Sequence, residues 1–579
     1  MTIENPYDDR FAEASIEASD LLGLPDKSDL DAGTEYAEYA RSGWQSPGED
    51  WEYEGYHEVY RYWTYEPYAF VSILYNPEDS EHLYHSVEPE LDEYEETVKE
   101  TQVKEEVRGS FRYDDDVFAG VADISHAEEL QRKSEALTQK VMEAIAENDL
   151  FDSGARSSLY KVLYYMERDR IRYGKIDVLM EDPYIEDISC LGHNLPLFIY
   201  HDTFEDLMTN VSFKKLELNK FATRLAQRSQ KHISVAQPMQ DASLPDGSRL
   251  QVTLGEEVSQ KGSNFTIRKF KEIPFTPVDL IWYGTFSAQQ MAYLWLSIEN
   301  GMSLIFAGGT ASGKTTSMNA VSLFIPPREK IVSIEDTPEL KLPHKNWLSG
   351  ITRKGFSGDG SGAIEEYELL EAALRQRPEY IIMGEVRGGE AKTLFQAMST
   401  GHTTYSTMHA DNVGTAVNRL RNEPINVPDT MLTSLDIMSV QMQTTSDGEV
   451  VRRNKQISEV VRFDNDTEEI QTTEPFSYQS RLDTWRESLG NSSVVEKLSR
   501  KLGTQVEEVR AEIKRRERIL SNLAENGVTS YRDVTKVIQL YMVDRNRVLK
   551  EYEEAEAEGR AIDADKFGTP QAIEFPEVV

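Results

Sequence analysis

Cysteine is almost missing from this chain. One thiol, Cys190, serves 579 residues, which excludes an intramolecular disulfide framework and any metal site built from several thiolates. Long apolar runs are missing too. Nowhere do about 18 apolar residues follow one another without a charge, so no transmembrane helix is expected. The opening Met1-Thr2-Ile3-Glu4-Asn5 lacks the basic, apolar and small-residue succession of a secretory signal. These absences point to a cytoplasmic protein. Basic residues are scarce: 62 Lys and Arg against 101 Asp and Glu leave a net charge of −39. That balance argues against a nucleic acid held along a large basic face, because counterion release needs clustered Lys and Arg.

What is present describes a folded chain. Hydrophobic residues make up 39%, aromatics 10% and charged residues 28%, which excludes a wholly disordered polymer. At about 150 residues per domain the length suggests three to five domains. The acidity is concentrated. Residues 1–120 hold 32 Asp and Glu against 8 Lys and Arg, a balance of −24, and carry 13 of the 28 tyrosines. We read them as an acidic, Tyr-rich N-terminal extension, part of which folds around the apolar run Phe70-Val71-Ser72-Ile73-Leu74-Tyr75. The acidity suits a strongly hydrated surface in the salt-rich cytoplasm of a halophile, where charges are screened over about 3 Å at 1 M salt. The other reading is a docking face for a basic partner.

Residues 121–273 read as an α+β N-terminal lobe. Helical patterns cover 127–146, 157–173 and 214–231, and strands cover 184–190, 197–200, 250–254 and 264–270. Residues 274–284, entered through Pro274 and Pro277, read as a linker. From 285 to 450 strands and helices alternate as in a parallel α/β sheet. Residues 451–579 read as a charged helical C-terminal region, with apolar residues at three- and four-residue spacing from Leu498 to Leu523.

The chemistry is concentrated in the α/β block. The apolar run Leu304-Ile305-Phe306-Ala307 leads into Gly308-Gly309-Thr310-Ala311-Ser312-Gly313-Lys314-Thr315, which satisfies G-x-x-x-x-G-K-[ST]. Gly308 and Gly313 let the backbone curl so that successive N–H groups face phosphate. Lys314 reaches the β- and γ-phosphates, and the Thr315 hydroxyl ligates Mg²⁺. The helix from Thr316 turns its N-terminal dipole to the same anion. Ile331-Val332-Ser333-Ile334 runs into Glu335-Asp336-Thr337-Pro338-Glu339, a strand tip with three carboxylates. Tyr380-Ile381-Ile382-Met383-Gly384-Glu385 reads as a Walker-B-like strand, whose Glu385 orients a water or meets Mg²⁺ through water. Gly401-His402-Thr403-Thr404-Tyr405-Ser406-Thr407-Met408-His409-Ala410 places two histidines seven residues apart.

These four boxes, in this order, resemble the secretion ATPase superfamily, whose members drive type II secretion, type IV secretion and type IV pili. Arg377-Pro378-Glu379-Tyr380 and Glu423-Pro424-Ile425-Asn426-Val427-Pro428 look like its archaeal branch. The resemblance covers roughly residues 180–460 and none of 1–120. It implies a RecA-like P-loop domain behind a smaller α+β lobe, with ATP held between them, in a homo-hexameric ring. It makes Glu339 the Asp-box catalytic glutamate, Glu385 the Walker B glutamate, and His402 and His409 the His box. It also implies that arginines of the N-terminal lobe reach the phosphates, at places that Arg249 and Arg268 match approximately. Many bacterial members carry a four-cysteine zinc site, which one cysteine cannot form, so ATP and Mg²⁺ but no zinc are expected. Glu379 stands where Asp is common, at a position with no proposed ligand role.

The implied function is a motor at the inner face of the cytoplasmic membrane. It would act on a polytopic platform protein and, through it, on pilin-like subunits. An archaellum motor is the nearer alternative. A RecA-like nucleic-acid translocase is disfavoured by the −39 charge. A GTP switch is disfavoured because Asn219-Lys220 continues Phe221-Ala222 in place of a guanine-reading Asn-Lys-x-Asp.

Overall fold

The computed structural model describes residues 55–65, 68–103, 126–147, 156–270, 274–353, 362–446, 449–464 and 469–573. Of the acidic extension, residues 1–54, 66–67 and 104–120 lie outside them. The chain divides into two compact units at Lys271 and Glu272.

The N-terminal unit is built on a nine-stranded sheet among the described residues, in the order β1-β2-β3-β6-β5-β4-β9-β8-β7. Its strands are β1 (His57–Tyr65), β2 (Ala69–Asn76), β3 (Glu81–Val87), β4 (Ile185–Cys190), β5 (Pro196–His201), β6 (Glu205–Ser212), β7 (Met239–Ser243), β8 (Arg249–Thr253) and β9 (Asn264–Arg268). The boundary expected at residue 120 therefore cuts through one structure. β3 pairs with β6 in parallel, and Tyr65, Tyr68, Val71, Ile73 and Tyr84 share a core with Ile185, Leu197 and Phe265. The tyrosines of this segment have a structural reason. Tyr62 and Tyr84 donate their hydroxyls to Asp182 at 2.6 and 2.7 Å, and Tyr65 donates to Asp177 at 3.0 Å. Each buries a ring and satisfies a buried carboxylate at once.

The second unit holds another nine-stranded sheet among the described residues, in the order β12-β11-β13-β14-β10-β15-β16-β17-β18. These are β10 (Leu304–Gly308), β11 (Ile331–Glu335), β12 (Trp347–Ile351), β13 (Tyr380–Met383), β14 (Thr403–His409), β15 (Ile437–Ser446), β16 (Glu449–Asp464), β17 (Glu469–Gln479) and β18 (Thr484–Glu487). The pairs from β12 across to β15 are parallel, and β15 to β18 pair antiparallel. β10, β11 and β13 are buried along their whole length, as expected of parallel strands covered on both faces.

Two expectations change here. The supposed linker holds a helix, Pro277–Trp282, with Val278 and Leu280 in the core. Thr276 and Asp279 form its capping box and Pro277 takes the first turn, so prolines read as a spacer instead start a helix. The helical C-terminal region begins at Ser493, since residues 449–487 carry the three antiparallel strands. β16 is disguised by buried polar residues, Asn454, Ser458 and Glu459, all of which are hydrogen-bonded within the sheet. Among the described residues no helix is long and apolar enough to cross a membrane.

Candidate active site

The loop after β10 is shaped by positions where a side chain would not fit. A Cβ on Gly308 would stand 2.5 Å from Ser312 Oγ and 2.6 Å from the Gln441 carbonyl oxygen. Ala311 and Gly313 take left-handed backbone, with φ of 55° and 84°. Ser312 Oγ and Lys314 Nζ donate to the Gly309 carbonyl at 2.9 and 2.5 Å, which closes the loop from Gly309 through Thr310 to Lys314. The helix Lys314–Ser322 then begins, and its first backbone bond runs from Ser317 N–H to Gly313 O. The N–H groups of Lys314, Thr315 and Thr316 precede that bond, the arrangement with which a helix start holds an anion.

Strand register brings the other boxes to the same edge. Gly308 pairs with His409 across β10 and β14, and Ile334 pairs with Met383 across β11 and β13. The C-terminal tips of four parallel strands thus carry Gly308, Glu335, Gly384-Glu385 and His409, the edge where open α/β sheets bind ligands. Glu385 accepts from Arg387 Nη2 at 2.7 Å, and its other oxygen lies 3.4 Å from His409 Nε2. Arg387 Nη1 stands 3.8 Å from Asp336, which accepts from Thr352 Oγ1 at 2.6 Å. Burial, and then the Lys314 ammonium, hold the His409 imidazolium pKa below its ordinary value, against the pull of Glu385. Glu335 is buried, and burial pushes its carboxyl up to about 7. Glu339 follows four residues later, half-buried, on the turn that leaves β11.

His402 is not part of this constellation. It precedes β14, whereas His409 ends it, so about 23 Å of extended strand separates them. Its Nδ1 lies 3.3 Å from Thr400 Oγ1 at the opposite edge of the sheet. The assignment of His402 to the phosphates of its own chain is therefore corrected: seven residues is the whole length of the strand. Arg249 and Arg268 lie in the N-terminal unit, both exposed and directly paired across β8 and β9.

Three neighbours escaped the sequence. Arg452 Nε donates to the Ala311 carbonyl at 3.0 Å, and Lys455 Nζ donates to the Asp411 carbonyl at 3.1 Å. Both stand on β16, and only the β15–β16 pairing brings them here. Glu366 heads a helix, and burial, then Glu390 and Asp336, push it up to about 7 against the pull of Arg387.

Comparison with known proteins identifies relatives of this chain. A family model described as type II/IV secretion system protein matches residues 197–538, and one described as PilB3-like, N-terminal, matches residues 40–90. An uncharacterized protein of Methanocaldococcus jannaschii is 35% identical over 483 residues, 81% of this chain and 86% of that protein. The type IV secretion system protein PtlH of Bordetella pertussis is 36% identical over 230 residues, 35% of this chain and 66% of that protein. Among solved structures, the Legionella pneumophila ATPase DotB is 18% identical and covers 63% of this chain and 94% of that chain, with a TM-score of 0.36.

Proposed function

The chain belongs to the type II/IV secretion system protein family, as an ATPase of it, and we propose that it is the hexameric motor of a type IV pilus-like assembly machine. The observation that carries this reading is the meeting of the P-loop, Glu385 and His409 at one sheet edge. Lys314 binds the β- and γ-phosphates. Glu339 receives the proton of the attacking water, and Glu385 couples hydrolysis to motion through Arg387 and His409. The hydroxyl of Thr315 and the carboxylate of Glu385 are an oxygen-only donor pair, which fits Mg²⁺ that also takes phosphate oxygens and keeps its waters. When bound, that ion neutralises phosphate charge.

In this reading the ring works at the cytoplasmic face of the membrane against a polytopic platform protein, which passes motion to pilin-like subunits. The acidic surface fits a salt-rich cytoplasm. PtlH, named for type IV secretion, supports the secretion side of the reading, and the PilB3-like match at 40–90 supports the pilus side. Two experiments test it. Lys314→Ala in the native host should abolish surface filaments, and persistence of filaments would count against the motor role. In vitro, Glu339→Gln should slow turnover by ~10²–10⁴ with the Mg²⁺ midpoint unchanged, while Glu385→Gln should slow turnover and shift it. The reverse pattern would exchange the two roles.

A further inference from the structure

The turn that carries Glu339 is fastened from two sides. Glu335, the last residue of β11, is buried, and its Oε1 accepts the backbone N–H of Glu339 at 2.9 Å and of Leu340 at 3.0 Å. Immediately beyond, the Lys341 N–H donates to Asn319 Oδ1 at 3.2 Å. Asn319 is itself buried and stands on the helix Lys314–Ser322, which starts at the P-loop. Leu340 is buried in the core beneath the turn. The backbone on both sides of Glu339 is therefore tied, once to the β11 tip and once to the phosphate-binding helix.

We propose that Glu335 and Asn319 are positioning residues for hydrolysis: together they hold the 336–341 turn so that the Glu339 carboxylate keeps register with the P-loop helix. The proposal rests on the reading of Glu339 as the base.

The chemistry of Glu335 favours this role over catalysis by Glu335 itself. Its Oε1 is occupied by two backbone donors, and its Oε2 is buried with no hydrogen-bond partner. No oxygen is left exposed to receive a proton from an attacking water. One carboxyl oxygen that accepts two amide N–H groups makes a specific anchor for the turn, while the other, unsatisfied oxygen carries a desolvation cost. Asn319 supplies an independent reason. A side-chain acceptor on the P-loop helix spends its bond on the far turn, so a shift of that helix is transmitted to the backbone two residues from Glu339. Displacement of a reacting group by about 1 Å can cost ~10²-fold in rate.

The test is steady-state ATP hydrolysis by the full chain with Glu335→Ala, Glu335→Gln, Asn319→Ala and Glu339→Gln, alone and combined. Glu335→Ala and Asn319→Ala should lower kcat by ~10–10² while KM for ATP stays within about threefold, because the phosphate-binding loop is untouched. Glu335→Gln keeps an acceptor oxygen for both N–H groups and should restore kcat to within a few-fold of wild type. In the Glu339→Gln background neither alanine should cost anything further, since a positioning residue has nothing left to position. If Glu335→Gln is as slow as Glu335→Ala, or if the losses add to that of Glu339→Gln, the proposal is overturned. If Glu339→Gln alone turns over normally, it is the base reading that fails. Should Glu335→Ala not fold, Asn319→Ala and Glu335→Gln, each measured against wild type and in the Glu339→Gln background, decide the question without it.

Discussion

Arg249 and Arg268 stand directly opposite each other on neighbouring strands, like charge against like. Like charges directly opposite on neighbouring strands are destabilising. The two are not equivalent. On its other side Arg268 faces Asp187 of β4, which burial pushes up and Arg268 pulls back, whereas Arg249 faces Ser243. Arg249→Ala should therefore leave the melting temperature unchanged or slightly raised, and Arg268→Ala should lower it. Both should slow ATP turnover if they serve the phosphates. Equal destabilisation by the two changes, with turnover intact, would make the pair structural.

Glu459 is fully buried on β16 and accepts from Tyr293 at 2.7 Å, Thr473 at 2.8 Å and the Ser493 N–H at 2.7 Å. It ties the sheet to the start of the helix Ser493–Leu502, where a negative charge is favoured. Glu459→Ala strands several buried donors and should cost ~3–5 kcal/mol, read from the urea midpoint. Hydrogen exchange should rise first over residues 493–502. A variant with unchanged midpoint and protection would contradict this.

His344 is one group whose titration should lower stability in acid. Its Nε2–H donates to the Ile325 carbonyl at 2.9 Å, its Nδ1 is buried without a partner, and burial lowers its pKa to about 4. The unfolded chain, with an ordinary pKa near ~6.5, takes up the proton first. Stability from this group is complete above pH ~6.5, falls as pH drops towards 4 and levels off below. Across that window the loss is about 3 kcal/mol. His344→Gln keeps a donor for Ile325 and removes the titration, so the melting temperature should fall less between pH 7 and pH 4.5 than in wild type. Parallel pH profiles would contradict the assignment.

The sequence was most legible where function is contiguous. The strand, loop and helix around Gly308–Thr315 follow one another in the chain, and their residue types are fixed by phosphate chemistry. Glu385 was legible because it follows the apolar run Tyr380–Met383, and His409 through its place in the resemblance. What the sequence hides is what pairing supplies. Arg452 reaches Ala311 only because β16 folds back beside β15. Glu335 reads as one carboxylate of three until its bonds to the Glu339 turn are seen. The tyrosines of β1 to β3 mark a folding part of the acidic segment, but their carboxylate partners, Asp177 and Asp182, arrive from more than ninety residues away. His402 misled for the opposite reason. Its spacing from His409 is a motif in the chain and the length of a strand in space.

The central claim is that this chain hydrolyses ATP at the loop closed by Lys314. Phosphate release from Mg²⁺-ATP by the purified full chain, compared with Lys314→Ala, tests it most directly. The side chain bonds the Gly309 carbonyl within the loop itself, so the variant should melt within a few degrees of wild type while hydrolysis falls by at least ~10². Equal phosphate release by the two proteins, at equal stability, would contradict the account.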